Sequence, residues 1–380
     1  MEEKSKKPKI RFKGFTEDWE QRKVSDIANR YDNLRVPITA NLREKGSIPY
    51  YGANGIQDYV KGYTHKGEFI LVAEDGANDL KNYPVQYVNG FIWANNHVHV
   101  LQGKNDISDN KFLKYAISQS NIESLLVGGG RAKLNANIMM EMNIKLPKNI
   151  QEQIAIGDYI YRLDSLITLH QRKYDKLVNV KKSLLEKMFP KNNSNVPEIR
   201  FKGFTDAWEQ RKLGEYGDFT YGHSAPKWSV TPDAKTPCVR YGELYTKFGV
   251  KIDKVFSYTN MPKNKLVFSK GNEVLIPRVG EDPYDYNHCT WLSIPNVAIG
   301  EMISIYYTKQ NPLFTAIMYN ATLRNDFAIR VEGGSVTNLY YDKLKDINVA
   351  FPNKQEQEKI ATLFYKIDNL ITLHQHKYYM

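Results

Sequence analysis

The sequence predicts an α+β chain: two mixed α/β domains in tandem duplication, separated by long helices that pack as an antiparallel coiled coil with pseudo-twofold symmetry. Three observations predict it. Two sequence blocks each occur twice, a heptad pattern runs through residues 151–189, and the stretches between the blocks alternate short apolar runs with Gly, Pro and Asn turns.

The duplication comes first, because a repeat decides the architecture. IRFKGFTEDWEQRK at 10–23 returns as IRFKGFTDAWEQRK at 199–212, identical at twelve of fourteen positions and offset by 189. QEQIAIGDYIYRLDSLITLHQRKY at 151–174 returns as QEQEKIATLFYKIDNLITLHQHKY at 355–378, offset by 204. The offset grows from 189 to 204, so the second copy holds 15 additional residues. Lys66-Gly67-Glu68-Phe69-Ile70-Leu71-Val72, with Gly76, parallels Lys270-Gly271-Asn272-Glu273-Val274-Leu275-Ile276, with Gly280, already at 204. The insertion is therefore expected before Lys270, within 217–262. A period this long marks a duplicated domain rather than a solenoid. The expected division is a first domain at 1–150, a spacer helix at 151–189, a Pro- and Asn-rich linker at 190–198, a second domain at 199–354 and a second spacer helix at 355–380.

The seam of the first helix is Ile156, Ile160, Leu163, Ile167, His170, Tyr174, Leu177, Lys181, Leu184 and Met188, spaced alternately by four and three. His170 and Lys181 are polar breaks suited to fixing register. At 1.5 Å per residue the helix is roughly 58 Å long, too long to stand alone in water. Copy two supplies a partner in the same register: Ile360, Phe364, Ile367, Ile371, His374 and Tyr378. It stops at Met380, before the equivalent of Phe189, so the second helix is expected to be the shorter.

Within the two interiors, strands are expected at 68–73, 91–93, 97–101, 273–277, 303–307 and 327–331, and helices at 109–126 and 311–322. Net charge is +11, which favours a polyanionic partner. Candidate contacts to such a partner lie in the loops. In the first interior they are Tyr51 and Asn54, Lys61 and Lys66, Asn96 and His97, and Arg131 and Lys133 beside a Gly loop whose N–H groups can approach phosphates. In the second they are Tyr221, His223, Lys227, Arg240, Lys247, Arg278 and Tyr286. Arg pairs with guanine and Asn with adenine through two hydrogen bonds, which makes Arg278 and Asn96 the natural base readers.

Two cysteines, Cys238 and Cys289, support neither a disulfide framework nor a four-Cys zinc site, and His97 with His99 lacks a third ligand. The first residues hold no apolar core of a signal peptide, no run approaches the length of a membrane span, and a cytoplasmic location is expected. Asn311-Pro312-Leu313-Phe314 is similar to the Asn-Pro-Pro-Tyr/Phe motif of amino methyltransferases but lacks the second Pro, and reads as a helix start. No phosphate-binding loop, HExxH or nucleophile triad stands out.

At the paired IRFKGFT blocks and QEQ…LITLHQ helices, the whole chain resembles the specificity subunits of type I restriction-modification enzymes. The resemblance implies that each interior is a target recognition domain reading one half of a split, asymmetric DNA site. It implies that the repeated helices set the spacing and dock two methyltransferase subunits, joined by restriction subunits in the full complex. S-adenosylmethionine, ATP and Mg belong to those partners, and none of them to this chain. On the residues alone two other readings stay open: a scaffolding protein with two interaction modules, and a stand-alone DNA methyltransferase.

Overall fold

The computed structural model describes residues 8–128, 132–191, 194–223 and 225–379, with side chains to Gln375. Two compact units divide the chain at Thr168/Leu169, inside the long helix Ile150–Lys187.

The first unit is built on one six-stranded sheet. Its strands lie side by side as Ala28–Arg30, Val98–Gly103, His65–Ala73, Val85–Ala94, Lys45–Gly52 and Gly55–Val60. The central strand His65–Ala73 is a near-continuous apolar run, as a strand covered on both faces must be. Its residues alternate between two clusters, Ile70 and Val72 on one face, Phe69 and Leu71 on the other. The helix Asn110–Ser118 covers the first face with Phe112, Leu113 and Ile117.

The second unit repeats this order. Gly217–Tyr221, Ile303–Thr308, Glu273–Pro277 and Thr290–Leu292 take the places of the first unit's first four strands, and Lys251–Ile252 closes the sheet. Pro312–Thr322 is its covering helix, capped by the Asn311 side chain, which accepts from Phe314 N at 2.9 Å. The helix start read from Asn311-Pro312 is what forms. Four short strands, Ser257–Thr259, Thr236–Val239, Ala298–Ile299 and Val267–Phe268, form a second sheet, in which Thr236–Val239 pairs parallel with Ala298–Ile299 as Lys45–Gly52 pairs with the end of Val85–Ala94 in the first unit.

The near-identical blocks do the same work in each copy. Glu20–Lys23 pairs antiparallel with Asn143–Leu146, and Glu209–Lys212 with Asn348–Phe351. Arg11 forks onto Glu152 at 2.5 and 2.7 Å, and Arg200 onto Glu356 at 2.7 and 2.8 Å. Gln153 bonds Pro147 O and receives Asp109 N, and Gln357 bonds Pro352 O and receives Asn311 N. Trp19 meets Phe112 edge-on at 5.8 Å, and Trp208 meets Phe314 at 5.7 Å. Each block thus ties the entry of its unit to the exit, across a diverged interior.

Three expectations are corrected. The stretch 327–331 is not a strand: Arg324–Ala328 forms a helical turn that buries Phe327, with Arg330 bonded back to Asp326. The helix expected at 109–126 stops at Ser118, where Ser118 and Ser120 hydroxyls bond carbonyls four residues back and compete with further helix.

The third concerns the seam, and it holds only in part. In the second unit the end of the long helix runs antiparallel to Lys354–Tyr379. His170 Nδ1 lies 2.9 Å from His374 Nδ1, Lys181 pairs with Asp368 at 2.5 Å, and Phe189 stacks on Phe364. Leu177 is half-buried there, Ile360, Phe364 and Ile367 are buried, and Ile371 is half-buried. Both polar breaks have therefore found polar partners. In the first unit Ile156 packs on the core and Ile160 is half-buried, but Leu163 and Ile167 are exposed by 41% and 44%. That stretch docks on its own domain through a different face: Gly157, Asp158 bonded to Lys111, Tyr161 against Tyr87, and Asp164 bonded to Tyr115. A Cβ on Gly157 would lie 2.6 Å from Phe112 N, so only glycine permits the approach.

Candidate nucleic-acid interface

In the first unit, four loops meet beyond the end of the central strand. The hairpin Lys45–Gly52/Gly55–Val60 turns at Ala53-Asn54, with Gly55 at φ 113°, a conformation glycine adopts without strain. Asn54 does not offer its amide to a ligand. It donates to Gly76 O and accepts from Asn78 N, both at 2.9 Å, tying the hairpin to loop 74–78. Tyr51 is half-buried, and desolvation with the neighbouring Tyr59 raises its pKa. His97 bonds Asp75 at 2.5 Å, beside exposed Asn96. Lys133 pairs with Glu74 at 2.9 Å and bridges to Val127 and Asp75 through its backbone. Arg131 lies outside the described residues. Lys61, exposed and 3.5 Å from Glu44, and Lys66, 5.1 Å from the Phe91 ring, are not brought to these loops: Lys66 begins the central strand at its opposite end, and Lys61 follows the open end of the hairpin.

Beneath these loops lies a charge network that sequence reading missed. Arg35 bonds Glu74 at 2.6 Å and Val98 O at 2.6 Å, and buried His99 bridges Asp32 at 2.7 Å and Leu134 O at 2.8 Å. Burial alone would push Asp32 up; the His99 bond, the Val100 N–H and the Arg35 charge outweigh it and hold Asp32 below its ordinary pKa. His99 is thus a structural strut and not a base reader.

In the second unit, Arg278 follows the central strand directly and sits near the rings of Tyr221, at 4.8 Å, and Tyr340, at 5.9 Å. His223 and Lys227 are exposed on the loop before Thr236–Val239, next to Trp228, which is 75% exposed. Lys247 is exposed and pairs with Glu243 at 3.0 Å. Arg240 caps the helix Tyr241–Thr246 through its backbone N–H, which donates to the Glu243 carboxylate. Tyr286 is a correction. It is fully buried, because its ring joins the core cluster with Val274, Ile276 and Tyr319 while its hydroxyl donates to Thr337 O at 2.5 Å. Tyr340 was missed, having no pattern around it in sequence. Among the described residues no group of three or more metal-ligating side chains converges.

The geometry is two copies of one scaffold, each presenting loops of different chemistry at the same end of its central strand. A family model described as "Type I restriction modification DNA specificity domain" matches residues 16–179 and again 205–379. The chain belongs to the type I restriction-modification specificity family. A putative type I restriction enzyme specificity subunit from Haemophilus influenzae is 30% identical over 94% of this chain and 89% of its own length. The MjaVIII type I specificity subunit of Methanocaldococcus jannaschii is 24% identical over 54% of this chain and 51% of its own length. Among solved structures, the type I system S subunit of M. genitalium matches with a TM-score of 0.57 at 16% identity, covering 95% of this chain and 92% of that one. That likeness is one of fold. The two family matches fall on the two copies found in the sequence.

Proposed function

We propose that the chain is the DNA-recognition subunit of a type I restriction-modification complex, each unit reading one half of a bipartite, asymmetric site. One observation carries this: the framing blocks are preserved between copies down to individual hydrogen bonds, while the loops at the ends of the central strands differ in charge and shape. A shared frame with unlike loops is what two unlike half-sites demand. The chain supplies recognition, and catalysis belongs to partners: two methyltransferase subunits docked on the helical regions, with restriction subunits in the full assembly. The candidate DNA contacts are Tyr51, Lys61, Lys66, Asn96, His97, Lys133, Tyr221, His223, Lys227, Lys247 and Arg278. The net charge of +11 supports binding to the phosphate backbone.

Residues 28–145 are exchanged for the corresponding interior of another member of the family, and the complex with methyltransferase subunits is assembled on plasmid DNA. Methylated adenines mapped by single-molecule sequencing should then define a split motif altered in one half only. Alteration of both halves, or of neither, would refute the modular reading.

A further inference from the structure

The first residue past the central strand occupies one backbone slot in both units. Glu74 and Arg278 are separated by the same 204 residues as the strands that carry them. Glu74 N donates to His97 O at 2.8 Å, and its carbonyl accepts from Leu134 N at 2.7 Å. Arg278 N donates to Met302 O at 3.0 Å, and its carbonyl accepts from Leu339 N at 2.8 Å. The slot is the same and the charge is opposite.

The two side chains meet different fates. Glu74 is consumed internally by Arg35 at 2.6 Å, Lys133 at 2.9 Å and His99 at 3.7 Å. Arg278 has no carboxylate partner among the described residues. Its Nη2 reaches only the Met302 sulfur, at 3.0 Å, and its buried Nε has no partner. A thioether is a weak acceptor, so most of the five N–H donors of this guanidinium are unspent. The rings of Tyr221 and Tyr340 flank it, and Tyr221 is in turn packed on Tyr341 at 4.4 Å. The result is a fork held in orientation, awaiting a pair of acceptors.

Two acceptor pairs on DNA suit such a fork: a phosphate, or the O6 and N7 atoms of guanine. Phosphates are the same in every half-site, so a slot serving the backbone would keep its sign in both units. Base identity differs between half-sites, and this slot inverts its sign. We propose that Arg278 is a specificity-determining residue that reads one guanine in the half-site of the second unit, by paired N–H bonds to O6 and N7. The assignment rests on the DNA-recognition reading above.

The test uses the chain assembled with its methyltransferase subunits. Motifs are mapped by sequencing methylated DNA for the parent, R278K and R278A, with thermal melting of each complex alongside. R278K keeps the charge and the aliphatic stem but loses the fork. Both variants should lose discrimination at a single guanine position in one half-site, by roughly ten- to a hundredfold, with the other half unchanged. An intact motif methylated more slowly at all sites would overturn the assignment in favour of a phosphate contact. The DNA side gives a version that leaves the protein untouched. Replacing that guanine by 7-deazaguanine removes N7, and should weaken binding by the parent about tenfold but add nothing to the loss in R278A. Equal weakening in both would overturn it. A parent complex that methylates no split motif would instead overturn the underlying DNA reading, and the assignment with it.

Discussion

At the scale of single residues, the frame depends on pairs that sequence shows only as repeated letters. Arg11 and Glu152 lie 141 residues apart, Arg200 and Glu356 lie 156 apart, and the difference is the 15-residue insertion. The frame stays closed whatever its interior holds. Breaking a buried pair leaves the surviving charge uncompensated. Glu356→Gln should destabilise the second unit by about 3 kcal/mol, toward the low end for such a pair because Arg200 keeps an edge in water; denaturant unfolding measures it. In the first unit, Asp32 is held below its ordinary pKa while burial holds His65 below its own. Both groups bind more protons when unfolded, so each contributes stability at higher pH that is lost on acidification. His65 acts as pH falls below about 6.5, and Asp32 below about 3.9. Melting temperature should therefore fall in two stages on acidification, and Asp32→Asn should shrink the more acid one, to which Glu74 contributes as well, its burial outweighed by Arg35 and Lys133 so that it too sits below its ordinary pKa. Identity between copies made the framing residues legible. The Arg35–Glu74–His99 network was not, because its members are distant in sequence and follow no period.

At the scale of elements, period was a good guide where burial is simple. The run at 273–277 forms the strand expected, and the 4/3 seam is the less exposed line of the long helix through the second unit. It failed where a short apolar run has two possible burials, as at Phe327, and where a helix face is claimed by its own domain, as around Gly157. The polar breaks in the seam find polar partners on the other helix: His170 the seam residue His374, and Lys181 the flanking Asp368. Matched polar groups in an apolar seam set register more than strength. Asp368→Lys should place two cations together and lower the melting temperature of the second unit by a few degrees, the effect of about 1 kcal/mol in a unit of this size. Adding Lys181→Asp should restore most of the loss; failure of that double variant to recover would show that the pair does not act as one.

At the scale of the whole molecule, under the proposed function the helices are the spacer between the two half-sites, and their length can be changed. Removing one heptad from both long helices shortens each by about 10 Å and leaves the seam facing the same way, since seven residues is close to two turns. The gap between methylated half-sites should contract by about three base pairs, at 3.4 Å each, with both half-site sequences unchanged. An unaltered gap would count against the helices as the ruler. The sequence by itself determined the duplication, the frame and the family, because these are written as identity and period along the chain. Only the tertiary structure decided which loop residues are available. Tyr286 is buried, the Asn54 amide is spent on a neighbouring loop, and Glu74 is neutralised while Arg278 in the same slot is not. Availability depends on partners brought from elsewhere in the chain, and no local pattern encodes them.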